Sequence, residues 1–139
     1  MIVPVGVGEP LSDDLVIERF TAADLPTIRD VVRRLALDAG LSETRTADLV
    51  LAVNELVTNA ILHAGGGGSL TVQRMPGGLA VEVRDQGPGL PPGFDKGLPE
   101  PDVVGGRGLW LVRRLCQQVT FGSGTGTRGA SVRLVMSRA

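Results

Sequence analysis

The sequence predicts an α+β two-layer sandwich: a mixed, mostly antiparallel sheet with helices on one face. Two stretches of helical apolar spacing come first, and strand-like stretches cluster after them. A hairpin signature, Pro76-Gly77-Gly78 between β-branched runs, makes at least part of the sheet antiparallel. At 139 residues the chain is one domain with room for a core, and apolar residues make up 42% of it.

Taken in order, residues 1 to 13 carry Gly6, Gly8 and Pro10 and read as a loose arm, with the domain over 14–139. Leu15 to Phe20 reads as a strand. Thr21 or Asp24 caps a helix whose apolar positions are Leu25, Ile28, Val31, Val32, Leu35 and Ala36, and Gly40 ends it in the left-handed conformation. Its Arg29, Arg33 and Arg34 read as a solvated face, with a partner-binding face as the other reading. Ser42 caps a long central helix that stops at the glycine run 65–68, read as a connector. Ser69–Met75 and Leu79–Arg84 form the hairpin. Residues 90–104, rich in Pro and Gly and without periodicity, read as a lid. Leu109–Cys116 reads as a short helix, and Val119–Phe121 and Ser131–Met136 as closing strands joined by a glycine turn.

Composition excludes several function classes. Net charge is −1, aromatics are 3% and Tyr is absent, which leaves neither a basic footprint nor stacking platforms for direct nucleic-acid binding. Thirteen of the fourteen basic residues are Arg, only Lys96 being lysine. The lone Cys116 has no disulfide partner within the chain, and with the lone His63 it does not make a zinc site. No stretch approaches the roughly 18 apolar residues of a membrane span, so a cytoplasmic protein is expected.

Three motifs carry chemistry. On the central helix Glu55, Asn59 and His63 stand at i, i+4 and i+8, one polar stripe on an otherwise apolar element. A carboxylate there suits a general base and a carboxamide oxygen suits Mg²⁺; the same residues also fit a solvated helix face. Asp85 closes an apolar strand just before Gly87 and Gly89. It can accept a hydrogen bond from an exocyclic amine while the glycines admit a flat ring, or the segment is a plain strand-ending turn. Gly105-Gly106-Arg107-Gly108 precedes a helix and offers free N–H groups to phosphate, or serves only as a helix entry.

In order and spacing, Glu55-x-x-x-Asn59-Ala60, Asp85-x-Gly87-x-Gly89 and Gly106-x-Gly108-Leu109 resemble the N, G1 and G2 boxes of the GHKL (histidine kinase-like) ATP-binding fold. The resemblance runs from about Leu15 to Met136. The string Glu55-Leu56-Val57-Thr58-Asn59-Ala60, followed by His63-Ala64, is similar to the bacterial anti-sigma factor serine/threonine kinases. Histidine kinases of the superfamily usually carry Asn at the position of Glu55.

The resemblance implies that Mg·ATP binds, with Asp85 on the adenine amine, Gly87 and Gly89 beside the ring and Asn59 on Mg²⁺. It implies that Gly106, Arg107, Gly108 and Leu109 line the phosphates, that His63 faces them, and that Glu55 activates an acceptor hydroxyl. It further implies a homodimer that phosphorylates an anti-anti-sigma (STAS) protein and holds a sigma factor. The family's last box usually reads Gly-Thr-Thr/Ser; here Gly129-Ala130-Ser131 leaves Ser131 or Thr127 to supply the hydroxyl. A non-catalytic partner switch, an ATPase and a nucleotide-free scaffold stay open as alternatives.

Overall fold

The computed structural model describes residues 12–63, 68–85, 106–123 and 130–138. The elements are β1 (Ser12–Ile17), a 3-10 turn (Ala22–Asp24), α1 (Leu25–Asp38), α2 (Glu43–His63), β2 (Gly68–Met75), β3 (Gly78–Asp85), α3 (Gly106–Leu115), β4 (Gln118–Ser123) and β5 (Ala130–Ser137). The strands form one sheet in the order β1-β2-β3-β5-β4, and every pairing among them is antiparallel. The sequence predicts a mixed sheet; the described strands carry no parallel pair.

Local signals set the helix ends. The backbone N–H of Thr21 donates to the Asp24 carboxylate at 2.8 Å, which closes the 3-10 turn, and Pro26 sits in the first turn of α1 where no N–H is needed. At the other end Gly40 has φ +90°, its N–H donates to Leu37, and the Leu41 N–H reaches back to Ala36 at 3.1 Å. That pair of bonds is a Schellman motif, and its apolar residues Ala36 and Leu41 both enter the core. Four residues separate α1 from α2, so the two run antiparallel. Ser42 caps α2: its hydroxyl accepts from the Arg45 N–H at 3.1 Å.

The hairpin turn is Pro76-Gly77, with Pro pre-set at its first position and Gly77 at φ +77°, a backbone angle that favours glycine. One face of the sheet packs under the helices. Leu70 and Val72 of β2, Leu79, Val81 and Val83 of β3, and Val132, Leu134 and Met136 of β5 meet Ile28, Val32, Leu49, Val53, Leu56, Val57 and Val112 in a single core. At roughly 25 cal/mol per Å² of apolar surface, this aliphatic cluster is the dominant stabilising contribution.

The opposite face holds a small cluster of Met75, Ala80 and Val135. Beside it Arg133, only 9% exposed, donates to Gln73 Oε1 at 2.9 Å and lies 4.0 Å from Glu82. No described helix is long and apolar enough to cross a membrane.

Three boundaries differ from the sequence reading. β1 begins at Ser12, inside the segment read as an arm, because Ser12 and Asp13 pair with Arg74 and Gln73. Gly68 is a strand residue rather than connector, paired with Asp85 and accepting from the Phe20 N–H at 2.9 Å. α3 begins at Gly106, three residues before the expected Leu109, so Gly106 and Gly108 lie within its first turn. The expected lid over 90–104 lies outside the described residues.

Candidate nucleotide site

α2 is the central helix, flanked by α1 and α3. At about 100° per residue, its buried positions Leu49, Val53, Leu56, Val57 and Ala60 share the sheet-facing side. Asn54 falls on one flank, where it accepts from Arg29 of α1 at 3.2 Å. Asp48, Glu55 and Asn59 fall on the other flank within a sector of about 40°. α1 occupies the Asn54 flank, so α3, which also packs along α2, lies on this one. Glu55 and Asn59 are both half-buried.

Contacts at one end of the domain orient all the pieces. Ser137, the last residue of β5, pairs with Gly78 at the start of β3. Its carbonyl accepts from Arg45 at the start of α2 at 3.1 Å, and its N–H donates to Gln117, just beyond α3, at 2.6 Å. The other end of the domain therefore receives the C-terminal half of α2, the N-terminus of α3 and the end of β3. Asp85 stands there, roughly 23 Å along β3 from Gly78. Gln117, just past α3, meets Ser137 at the Arg45 end of α2, so the rise of α3, about 15 Å, carries Gly106 toward the C-terminal half of α2. His63 closes α2 five residues before Gly68, the register partner of Asp85.

Glu55, Asn59, Asp85 and the opening residues of α3 thus lie toward the same end of the domain. The four residues that open α3 are Gly106, Arg107, Gly108 and Leu109. The backbone N–H groups of Gly106, Arg107 and Gly108 have no acceptor within the helix and stand at its positive dipole end. Asp85 follows Val83 on the helix-covered face by strand alternation. Gly87 and Gly89 lie outside the described residues, as does Thr127.

Ser131 is not brought together with the others. It pairs with Arg84, not Asp85, and its hydroxyl lies over Gly122 on the face away from the helices. The two-residue period of a strand forces this: a neighbour of Val132, which is in the helix-side core, points the other way. The expectation of a Ser131 hydroxyl contact at the site is corrected accordingly.

The thiol of Cys116 is raised to about 12, first by burial and then by the Asp48 carboxylate, which makes it an inert packing group. On the exposed surface of α3 the Arg114 guanidinium lies 5.4 Å from the centre of the Trp110 ring.

Comparisons with known proteins agree with this architecture. The family model described as histidine kinase-like ATPase domain matches residues 19–136. The sensor histidine kinase PdtaS of Mycobacterium tuberculosis is 34% identical over 133 residues, which is 86% of this chain and 25% of that protein. The serine/threonine-protein kinase RsbT of Bacillus subtilis is 30% identical over 84 residues, 58% of this chain and 63% of that one. The chain thus spans a quarter of the one relative and under two thirds of the other.

Two solved structures share the fold. Full-length ShkA in complex with AMPPNP superposes with a TM-score of 0.53 at 20% identity, covering 95% of this chain and 33% of that one. The histidine kinase domain of the blue-light activated kinase EL346 of Erythrobacter litoralis superposes with a TM-score of 0.52 at 24% identity, covering 84% and 60%. With a family match over nearly the whole described fold, the chain belongs to the histidine kinase-like ATPase domain family.

Proposed function

We propose that this chain is an ATP-dependent serine/threonine protein kinase that acts, as a homodimer, on an anti-anti-sigma (STAS) protein and holds a sigma factor in its other state. The observation that carries this reading is the flank of α2 on which Glu55 and Asn59 stand together, on the side of the helix away from α1, where α3 packs. The similarity to the kinase RsbT supports the choice of a hydroxyl acceptor.

The donor set fits Mg·ATP. A helix N-terminus suits phosphate oxygens, and Asp85 at the end of its strand suits an exocyclic amine. The Asn59 carboxamide oxygen would be one hard ligand for Mg²⁺, a cation that suits a single protein oxygen beside a bound nucleotide. When bound, ATP supplies the phosphoryl group and Mg²⁺ neutralises charge on it. In this reading Asp85 would orient the base, and the N–H groups of Gly106, Arg107 and Gly108 would hold the phosphates, with Leu109 lining them and the charge of Arg107 and His63 assisting. Glu55 accepts the proton of the seryl hydroxyl as that oxygen bonds to the γ-phosphorus and the β–γ bridging oxygen leaves with ADP.

The test incubates the chain with γ-labelled ATP, Mg²⁺ and purified STAS-domain proteins of the source organism. Glu55→Ala is expected to lower transfer by about 10²–10⁴-fold while Trp110 fluorescence still responds to ATP. Transfer by Glu55→Ala at the wild-type rate would sink the role given to Glu55. The similarity to PdtaS over 86% of the chain favours a second reading, a domain that phosphorylates histidine. The label distinguishes them: phosphoserine survives acid and phosphohistidine does not.

A further inference from the structure

We propose that the outward ridge of α2, formed by Leu51, Thr58 and Leu62 around Glu55, is the docking surface for the phosphoacceptor protein. The proposal rests on the kinase reading above. Most of the helix's large apolar residues face the core, but Leu51 is 42% exposed and Leu62 is 68% exposed on the side away from the sheet. Single exposed leucines are ordinary. These two are eleven residues apart and share a sector of about 60° with Glu55 and Thr58. The helical rise puts Leu51 about 6 Å on one side of Glu55 and Leu62 about 10 Å on the other.

That geometry selects the occupant. A seryl hydroxyl must come within hydrogen-bonding distance of Glu55, and a protein that brings it there covers about 800 Å² around the point of contact. Both leucines lie inside that footprint. The acceptor therefore presents apolar side chains on both sides of its serine, so that leucine burial contributes to binding while Glu55 stays aligned. Along the α1 side, the exposed Arg29 and Arg33 stand one helical turn apart, with Arg29 bonded to Asn54 of α2. As exposed cations they would complement an acidic rim on that partner.

The experiment measures phosphoryl transfer to each purified STAS-domain protein of the source organism by the wild-type chain, by the double variant Leu51→Ser/Leu62→Ser, and by Val16→Ser. Val16 is also exposed but lies on the opposite face of the sheet. The double variant is expected to raise the acceptor KM at least tenfold, with kcat, ATP affinity and thermal midpoint close to wild type, and Val16→Ser to leave all four unchanged. An unchanged acceptor KM in the double variant, with wild-type transfer intact, overturns the ridge and leaves the kinase reading standing. An equal loss of ATP affinity overturns it too, making the leucines part of the nucleotide wall. A wild-type dimer that the double variant converts to monomer assigns the ridge to self-association instead. Absence of transfer by the wild-type chain to every STAS protein overturns the kinase reading and the ridge together.

Discussion

Gly68→Ala tests the link between the sheet and the site. Gly68 opens β2 opposite Asp85, and a Cβ there would fall inside the van der Waals envelope of the Arg84 carbonyl oxygen. It would also lie 3.0 Å from the Arg84 carbonyl carbon and 3.2 Å from the Asp85 Cα. All three are backbone atoms, so no side-chain rotation relieves them, and the end of β3 must move by on the order of 1 Å to restore contact distances.

Overpacking of this kind costs about 1–3 kcal/mol. A stiffer unfolded chain offsets about 0.4–1 kcal/mol of that. The net loss is about 1–2 kcal/mol, or roughly 3–8 °C in Tm for a chain of this size. Gly122→Ala is the control: its Cβ would meet only the Ser131 hydroxyl, at 3.0 Å, a group that can rotate away. Its loss should stay within about 0.5 kcal/mol. Calorimetric melting measures both, and ATP titration followed by Trp110 fluorescence reports whether the movement of Asp85 weakens binding. A Gly68→Ala Tm within a degree of wild type would refute the steric argument. A lowered Tm with unchanged ATP affinity would refute the role given to Asp85.

Two further outcomes follow from local chemistry. Ser42→Ala removes the hydroxyl that accepts from the Arg45 N–H, and should lower stability by about 1 kcal/mol in urea unfolding; no change would mean that water replaces the cap without loss. Cys116, raised to about 12 from 9.0, stays a neutral thiol in the folded protein while the unfolded thiol ionises above pH 9. Its contribution is therefore complete below pH 9 and is lost as pH rises through the window from 9 to 12, by about 2 kcal/mol at pH 10.5. With no Tyr and one Lys in the chain, few other groups titrate in that window. Cys116→Ala should flatten the loss between pH 8 and 10.5, and equal losses in the two proteins would rule the thiol out as its source.

Much of the fold was legible because its signals are short-range. The Schellman end at Gly40, the Ser42 cap and the Pro76-Gly77 turn each depend on a few neighbouring residues, and each appears where the sequence puts it. Glu55 and Asn59 were legible as a pair for the same reason: helical pitch alone sets them one turn apart. The start of α3 was not. Glycine is a poor helix former, and only the packing of Val112 into the core and of α3 along α2 carries the helix back through Gly108 to Gly106.

The chain by itself determined which segments are helices and strands, and which residues share a helix face, since periodicity and caps are properties of adjacent residues. Only the tertiary structure decided that β5 inserts between β3 and β4, that Ser131 turns to the face away from Asp85, and that α3 runs back along α2 with Gly106 toward its C-terminal half. These depend on pairings between residues tens of positions apart, chosen by burial of one common core.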